Sequence, residues 1–525
     1  MTSNRSSADS TAATNPGPCS WPWQPDLGNG RFRNPIIHAD YSDPDAIRHG
    51  DDYFMVSSSF NCTPGLPILH SRDLVNWELI NHAVRNLPEA RYDEVQPGCG
   101  IWAPALRFHA GKFWIFFPMP DEGIYLTTAT DPAGQWSEPH LVQAGKGLID
   151  PCPLWDDDGK AYLVHAYAGS RAGIKHRLCV RPMAPDGSRL LGEGQIVFHD
   201  EKRHPTLEGP KFLKRDGWYY ILAPAGGVAT GWQVVLRSRN IFGPYEDRIV
   251  LEQGGTPVNG PHQGALVDTT GGDWWFIHFQ DAGVYGRILH LQPVRWEEGW
   301  PLMGQCDGAN DVGRPVLNHA KPAVAAPCSP RQPVTSDEFS AAQFGLQWQW
   351  NANHREDWYS LSARPGWLRL FPRPVPDDNL GNAPHLLLQK FPAAEFAAET
   401  HLELGPDGDD MEAGLTVMGR EYAALALRRV EGTCQLVLRT NGRDTILEKR
   451  TGSSVQLRVA VSAGGRCEFS YSSNGNPFTA VPDSFQAVAG VWIGARVGIY
   501  SARVSPTGRG HADFDYLRFG PLSAG

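Results

Sequence analysis

Three carboxylates share a setting that invites chemistry. Asp43 lies in Ser42-Asp43-Pro44, Asp150 in Ile149-Asp150-Pro151 and Glu208 in Leu207-Glu208-Gly209-Pro210, each at the head of a short apolar stretch. A lone Asp before Pro is ordinarily a turn residue, but three of them at what reads as one register of a repeated unit ask for another explanation. Carboxylates facing each other across a pocket suit glycosidic bond hydrolysis, in which one acid protonates the departing oxygen and one carboxylate activates water or attacks carbon. Glu208, among Leu207, Gly209, Pro210 and Phe212, is expected in the drier surroundings that raise a carboxyl pKa and suit a general acid. Asp43, beside Ser42 and Asp45, is expected to stay ionised and act as a general base. The charge of Asp150 would disfavour ionisation of Glu208. Trp102 and Phe60 are candidates for apolar walls around a sugar ring, weighed evenly against core packing.

The elements that must position these residues form a repeat. A Gly/Asp turn, an aromatic-rich apolar run, a more polar strand and a loop ending in an aromatic recur as GDDYFMVSSS…HSRDLVNW, AGKFWIFFPM…YLTTATDPAGQW, DDDGKAYLVHAY…LCVRPMAPDGSRL, RDGWYYILAPA…VLRSRNIFGPY and GGDWWFIHFQD…LHLQPVRWEEGW. The spacing is roughly 45 to 60 residues, which predicts five blades of a β-propeller, with a β-sandwich repeat array as the competing reading. A further strand precedes each turn: SDPDAIR, WAPALRF, IDPCPLW, LEGPKFL and PHQGALV. In a propeller these innermost strands line the axis, so Asp43, Trp102, Asp150, Glu208 and His262 are expected to face one pocket.

The propeller is expected over residues 31–305, after a surface-draped or disordered segment 1–30. A linker over 306–336 follows, with NHAKPAVAAPCSPRQPVTS as its Pro/Ala-rich part, and alternating stretches over 337–525 then predict a β-sandwich. The fold class is thus all-β. With 56 Gly, 43 Pro, 18 Trp, 15 Tyr and 22 Phe in 525 residues, many short strands joined by tight turns are favoured over helical bundles. A net charge of -10 without a Lys/Arg cluster argues against nucleic acid as a partner. No apolar run approaches the roughly 18 residues a membrane span needs.

The motifs NPIIHADYSDPDAIRHGDDYFMVSSSF, GIWAPALRFHAGKFW, GLIDPCPLWDDDGKAYLVHA, LEGPKFLKRDGWYYILAPAGG and GRILHLQPVRWEEGWP together resemble glycoside hydrolase family 43 over residues 34–304. The tail is similar to the concanavalin-like β-sandwich that accompanies one branch of that family. The resemblance implies a five-bladed propeller and an inverting exo-hydrolase of small oligosaccharides that needs no cofactor. It implies Asp43 as general base, Asp150 as pKa modulator and Glu208 as general acid, with Arg287 as a hydroxyl-binding residue and His262 in the pocket. Phe60 and Trp102 fall where the family lines its terminal-sugar site. For the water to fit, base and acid should stand roughly 6.5 to 9.5 Å apart. Some relatives hold a metal or ordered water under the site with an axial His, so a structural calcium near the axis is a possible feature with His262 as ligand. The base lies here in Ser-Asp-Pro, whereas xylosidases of the family have Pro-Asp-Pro.

Substrates in view are terminal β-D-xylose or α-L-arabinofuranose on plant-wall oligosaccharides. A retaining fructan or sucrose hydrolase would need a WxNDPNG-like motif and an Arg-Asp-Pro stabiliser, and neither occurs; a non-catalytic carbohydrate-binding propeller would not need the three carboxylates. The Asp156-Asp157-Asp158-Gly159 run lacks the alternating ligands of a calcium loop and is read as a hairpin turn. The 9 cysteines are scattered without a CxxC pair, which predicts free buried thiols. No apolar h-region occurs in the first 30 residues, so a cytoplasmic location is expected, or a periplasmic or secreted one if a signal has been removed.

Overall fold

The computed structural model describes residues 22–308, 312–324, 328–473 and 475–522. Five four-stranded antiparallel sheets follow one another in sequence. Their innermost strands are Asp45–His49, Ala105–His109, Leu148–Trp155, Lys211–Arg215 and His262–Asp268. Each sheet runs outward in simple chain order, the topology of a propeller blade. Strands inside the blades are apolar on both faces because each blade packs between two others; Lys112–Met119 is buried at every residue except Lys112.

The axis is held by polar clasps between blades. Asp45 of the first blade accepts from the Leu106 N–H and from the Arg107 guanidinium of the second, both at 2.8 Å. The same guanidinium reaches the Cys152 Sγ of the third blade at 2.7 Å and the Phe212 carbonyl of the fourth at 3.3 Å. Arg107 thereby ties four blades together, and its charge is compensated by one buried carboxylate. The ring closes where the segment before the first blade meets the fifth: the Ile36 N–H donates to the Leu289 carbonyl at 2.7 Å, and the Asn34 amide to the Leu291 carbonyl at 2.9 Å.

Residues 22–30 lie against the surface, with the Trp23 indole donating to the Pro35 carbonyl at 2.8 Å and Arg33 stacked over its ring. The expected disorder of the segment before them falls on residues 1–21, outside the described residues. The connection after the fifth blade does more than link, because Asn318–Ala320 pairs with Arg31–Arg33 as a two-stranded sheet. Two seven-stranded antiparallel sheets then form the sandwich. Its strands alternate as the sequence does; Ser454–Ser462 buries every second residue, the period-two signature of a strand with one wet face.

Asp156–Gly159 is a hairpin turn, with the Asp156 N–H bonded to the Lys160 carbonyl at 2.8 Å. Cys62, Cys152, Cys179, Cys434 and Cys467 are buried thiols, Cys99, Cys306 and Cys328 are partly exposed, and Cys19 lies outside the described residues. No helix among the described residues is long and apolar enough to cross a membrane.

Several histidines are buried neutral in the propeller. The His278 Nδ1–H donates to the Phe279 carbonyl at 2.9 Å while its Nε2 accepts from the Gln292 amide at 3.0 Å, and His290 stacks on it at 5.4 Å. A second proton on His278 would point at a donor. Burial lowers His165, His262 and His278 to about 4. In the unfolded chain these groups bind protons near pH 6.5, so the unfolded state gains protons as pH falls from about 6.5 to about 4 and folding stability is lost across that window. His38, His82 and His385 are lowered in the same way, whereas burial raises Asp150 and Glu208 and so acts in the opposite sense over this range. With the histidines in the majority, we expect the thermal midpoint to fall as pH drops from 6.5 to 4.5, and a midpoint that rises would contradict the neutral burial.

Candidate active site

The first residues of the blades set the geometry. Pairing aligns Asp45, Ala105, Cys152, Lys211 and Ala265 as equivalent positions, opposite Val56, Phe116, Val164, Leu222 and Ile277. Two residues earlier in each blade stand Asp43, Ala103, Asp150, Gly209 and Gln263. This corrects the sequence-based register: Trp102, Glu208 and His262 stand one residue before the position of Asp43 and Asp150. A one-residue offset turns a strand's side chains to the other face, and a local backbone reversal decides which of them meet. Asp43, Asp150 and Gln263 adopt left-handed φ values of 54°, 56° and 52°. The kink sits at ladder irregularities in the third and fifth blades. In the fourth blade the same place is Gly209, with φ 60°, where a Cβ would lie 2.8 Å from the Pro224 ring.

The result is a pocket of about 350 Å³ lined by Asp43, Asp150 and Glu208, with Phe60, Trp102, Arg287 and Gln263 among its walls. His262 does not line it, contrary to expectation. Its ring packs on Phe279 at 5.0 Å, its Nδ1–H donates to the Gly260 carbonyl at 2.6 Å, and its buried Nε2 meets no hydrogen-bond partner among the described residues. Those contacts hold His262 away from the cavity, and the adjacent Gln263 faces it. Among the described residues no group of three or more His, Cys, Asp and Glu side chains is arranged to hold a metal. The lone His262 Nε2 fits an ordered water or a hydrated ion and does not by itself form a cage.

The three carboxylates have different partners. Asp43 is buried and ion-paired with the Arg287 guanidinium, whose Nη1 lies 2.8 and 3.1 Å from its two oxygens. The Ser58 hydroxyl donates to Asp43 Oδ2 at 2.6 Å. Asp150 accepts the Gly209 N–H at 2.8 Å. Burial, reinforced by the charge of Asp43, pushes its carboxyl up to about 7. Glu208 is half-buried, and no donor among the described residues reaches its carboxylate. Burial and then the charge of Asp150 push Glu208 up to about 8. At neutral pH the site therefore holds an arginine-paired carboxylate and a second acid that keeps its proton, a pair suited to general base and general acid.

Aromatic walls surround them. Trp102 meets Phe60 and Trp492 at centroid separations of 6.4 Å each, and Arg171 stacks over its ring at 5.0 Å. The Trp102 indole is fixed by the Gly98 carbonyl at 3.0 Å. Trp492 was not visible to sequence reasoning. It belongs to a sandwich loop more than 180 residues beyond the last blade, yet it lines the pocket and lies 5.7 Å from the Arg287 guanidinium. Its only sequence signal is an exposed-type aromatic in the glycine-flanked run Gly490-Val491-Trp492-Ile493-Gly494.

The sequence matches the family described as Glycosyl hydrolases family 43 over residues 32–301, and the Beta xylosidase C-terminal Concanavalin A-like domain over residues 336–520. A Xylanibacter ruminicola protein named putative beta-xylosidase is 41% identical over 475 residues, covering 90% of this chain and 86% of its own length. A Bacteroides ovatus protein named non-reducing end alpha-L-arabinofuranosidase is 29% identical over 548 residues, covering 95% and 96%. Among solved structures, a xylan beta-1,4-xylosidase from Bacillus halodurans superposes with a TM-score of 0.78 at 25% identity, covering 93% of this chain and 99% of its own. With the propeller and the sandwich both matched, the chain belongs to glycosyl hydrolase family 43 and is a glycosidase.

Proposed function

We propose that this enzyme releases a terminal pentose, β-D-xylose or α-L-arabinofuranose, from hemicellulose oligosaccharides with inversion at the anomeric carbon. The observation that carries the reading is the division of labour in the pocket: Asp43 is held by Arg287 and Ser58, while Glu208, pushed up to about 8 by burial and by the charge of Asp150, meets no side-chain donor among the described residues. Asp43 takes a proton from a water that attacks the anomeric carbon as Glu208 donates its proton to the departing oxygen. Asp150 keeps Glu208 protonated through its charge, and its bond from the Gly209 N–H fixes it against the residue next to the acid. Arg287 spends Nη1 on Asp43 and has further N–H groups to offer a sugar hydroxyl. A cavity of about 350 Å³ with aromatic walls fits one terminal sugar and the start of a leaving group. Relatives named for xylose and for arabinose support both pentoses. Calcium takes oxygen ligands, so the lone imidazole nitrogen of His262 does not by itself make a calcium site among the described residues, and no step is assigned to an ion there.

The direct test is hydrolysis of nitrophenyl β-xyloside and nitrophenyl α-L-arabinofuranoside with the first-formed product followed by NMR. The initial sugar should carry the anomer opposite to the substrate; a retained anomer would overturn the reading. Glu208→Ala should cost about 10²- to 10⁴-fold in kcat on an unactivated disaccharide and far less on a dinitrophenyl glycoside, whose leaving group needs no proton. Equal losses on both would remove Glu208 as the acid.

The pH profile follows from the same electrostatics. Glu208 must be protonated to act, so activity should fall as pH rises through about 8. Asp150→Asn keeps an acceptor for Gly209 but removes the negative charge, so the alkaline limb should move to lower pH; a limb that stays in place would exclude Asp150 as the modulator.

Trp492→Ala removes one wall while leaving the carboxylates untouched. KM should rise about tenfold with kcat within a few-fold of the parent; an unchanged KM would take the sandwich loop out of substrate binding.

A further inference from the structure

Asp40 lies three residues before Asp43 and is 6% exposed. It is not part of the pocket lining. Its two oxygens hold two different parts of the site. Oδ1 accepts the Arg287 N–H at 2.9 Å, and Oδ2 accepts the Gly494 N–H at 3.0 Å. Arg287 carries the guanidinium that grips Asp43, and Gly494 follows Trp492 by two residues in the sandwich loop. One buried carboxylate is thus bonded to the backbone behind the base's partner and to the backbone behind the aromatic wall, across the two domains.

The crossing is tight. A Cβ on Gly286, with φ 72°, would lie 2.6 Å from Asp40 Cγ and 2.6 Å from the Gly494 nitrogen. The hairpin that carries Gly286 also docks on the sandwich: the Ala495 N–H donates to the Val284 carbonyl at 2.7 Å, and the Tyr285 hydroxyl bonds the Ala394 carbonyl at 2.9 Å and the Gly464 N–H at 2.7 Å. Two other groups face Asp40: Tyr41, and Lys390, whose ammonium sits 5.1 Å from the Tyr41 ring.

We propose that Asp40 is a positioning residue that sets the Arg287–Asp43 pair and the Trp492 wall in a single frame, making the sandwich part of the catalytic geometry. Only a carboxylate of this length accepts two N–H donors at once without offering a proton of its own; an amide presents one acceptor oxygen and turns an NH₂ toward the other N–H. An unpaired N–H at this depth displaces its loop toward water. Small displacements at reacting groups have large effects on rate.

The proposal rests on the proposed function in taking this pocket as the place where a sugar is cleaved, and its test separates the two. If the parent chain cleaves no pentoside, the functional reading fails, while amide exchange still reports on Asp40. In the full-length chain, Asp40→Asn should lower kcat/KM at least about tenfold, through both a higher KM and a lower kcat. Peptides covering 283–289 and 490–496 should exchange amide hydrogens faster together, with the blade peptides unchanged. Combined with Trp492→Ala, the variant should raise KM no further than Trp492→Ala alone, because both act on the same wall. Lys390→Met, which keeps both bonds and removes the facing cation, should leave kcat/KM within about twofold of the parent.

Asp40→Asn within about twofold of the parent in kcat/KM would overturn the proposal, as would multiplying KM effects in the double variant or an equal loss in Lys390→Met. Should Asp40→Asn fail to fold, exchange in the wild-type protein with and without xylose decides: slowing in both peptides on binding supports the shared frame, and slowing in only one refutes it.

Discussion

Negative charge gathered in a low-dielectric pocket is the constraint around which the rest of this protein is arranged. Three carboxylates at the end of one cavity cannot all ionise at neutral pH without compensation. One guanidinium is within ion-pair distance of one of them, Asp43. The other two respond by holding protons more tightly, and the raised affinity of Glu208 is what an acid catalyst needs. Catalytic competence and electrostatic discomfort are therefore one property of the site.

Keeping such groups together requires a scaffold that does not relax. The propeller supplies it through axial clasps such as Asp45–Arg107, in which a second buried charge pair joins neighbouring blades and reaches on to Cys152 and Phe212. Left-handed residues at the blade heads add a local cost of about 1 to 3 kcal/mol each. The burial of blade cores containing Phe116, Phe117, Phe276 and Phe279 offsets it, each such side chain being worth about 1.5 to 3 kcal/mol. The strain is placed where Asp43, Asp150 and Gln263 must turn toward the axis. The sandwich then completes the enclosure from outside the blades: Trp492 faces Trp102 across the mouth, and its loop is bonded to the propeller through Gly494 and Ala495.

Much of this was readable from the chain. The repeat of aromatic-rich runs between Gly/Asp turns named the five blades, because a propeller blade is a local unit whose strands pair with their sequence neighbours. The three carboxylates and Trp102 line the pocket, since the heads of repeated strands converge by the symmetry of the fold; Phe60 was a candidate wall by residue type, and Arg287, which lines it too, was implied by the family resemblance alone. The Asp156–Gly159 turn was likewise a local matter of backbone chemistry.

What the tertiary structure alone decided lies where chain order and space part company. His262 and Gln263 are neighbours, and only the folded chain decides that Gln263 lines the cavity while His262 packs on Phe279. Trp492 and Asp40 are 452 positions apart, yet the loop of one is held by the carboxylate of the other. Periodicity carries the hydrophobic pattern that builds blades and sheets. It carries no record of a single left-handed residue or of a contact between two domains, because those depend on where independently folded units come to rest against each other.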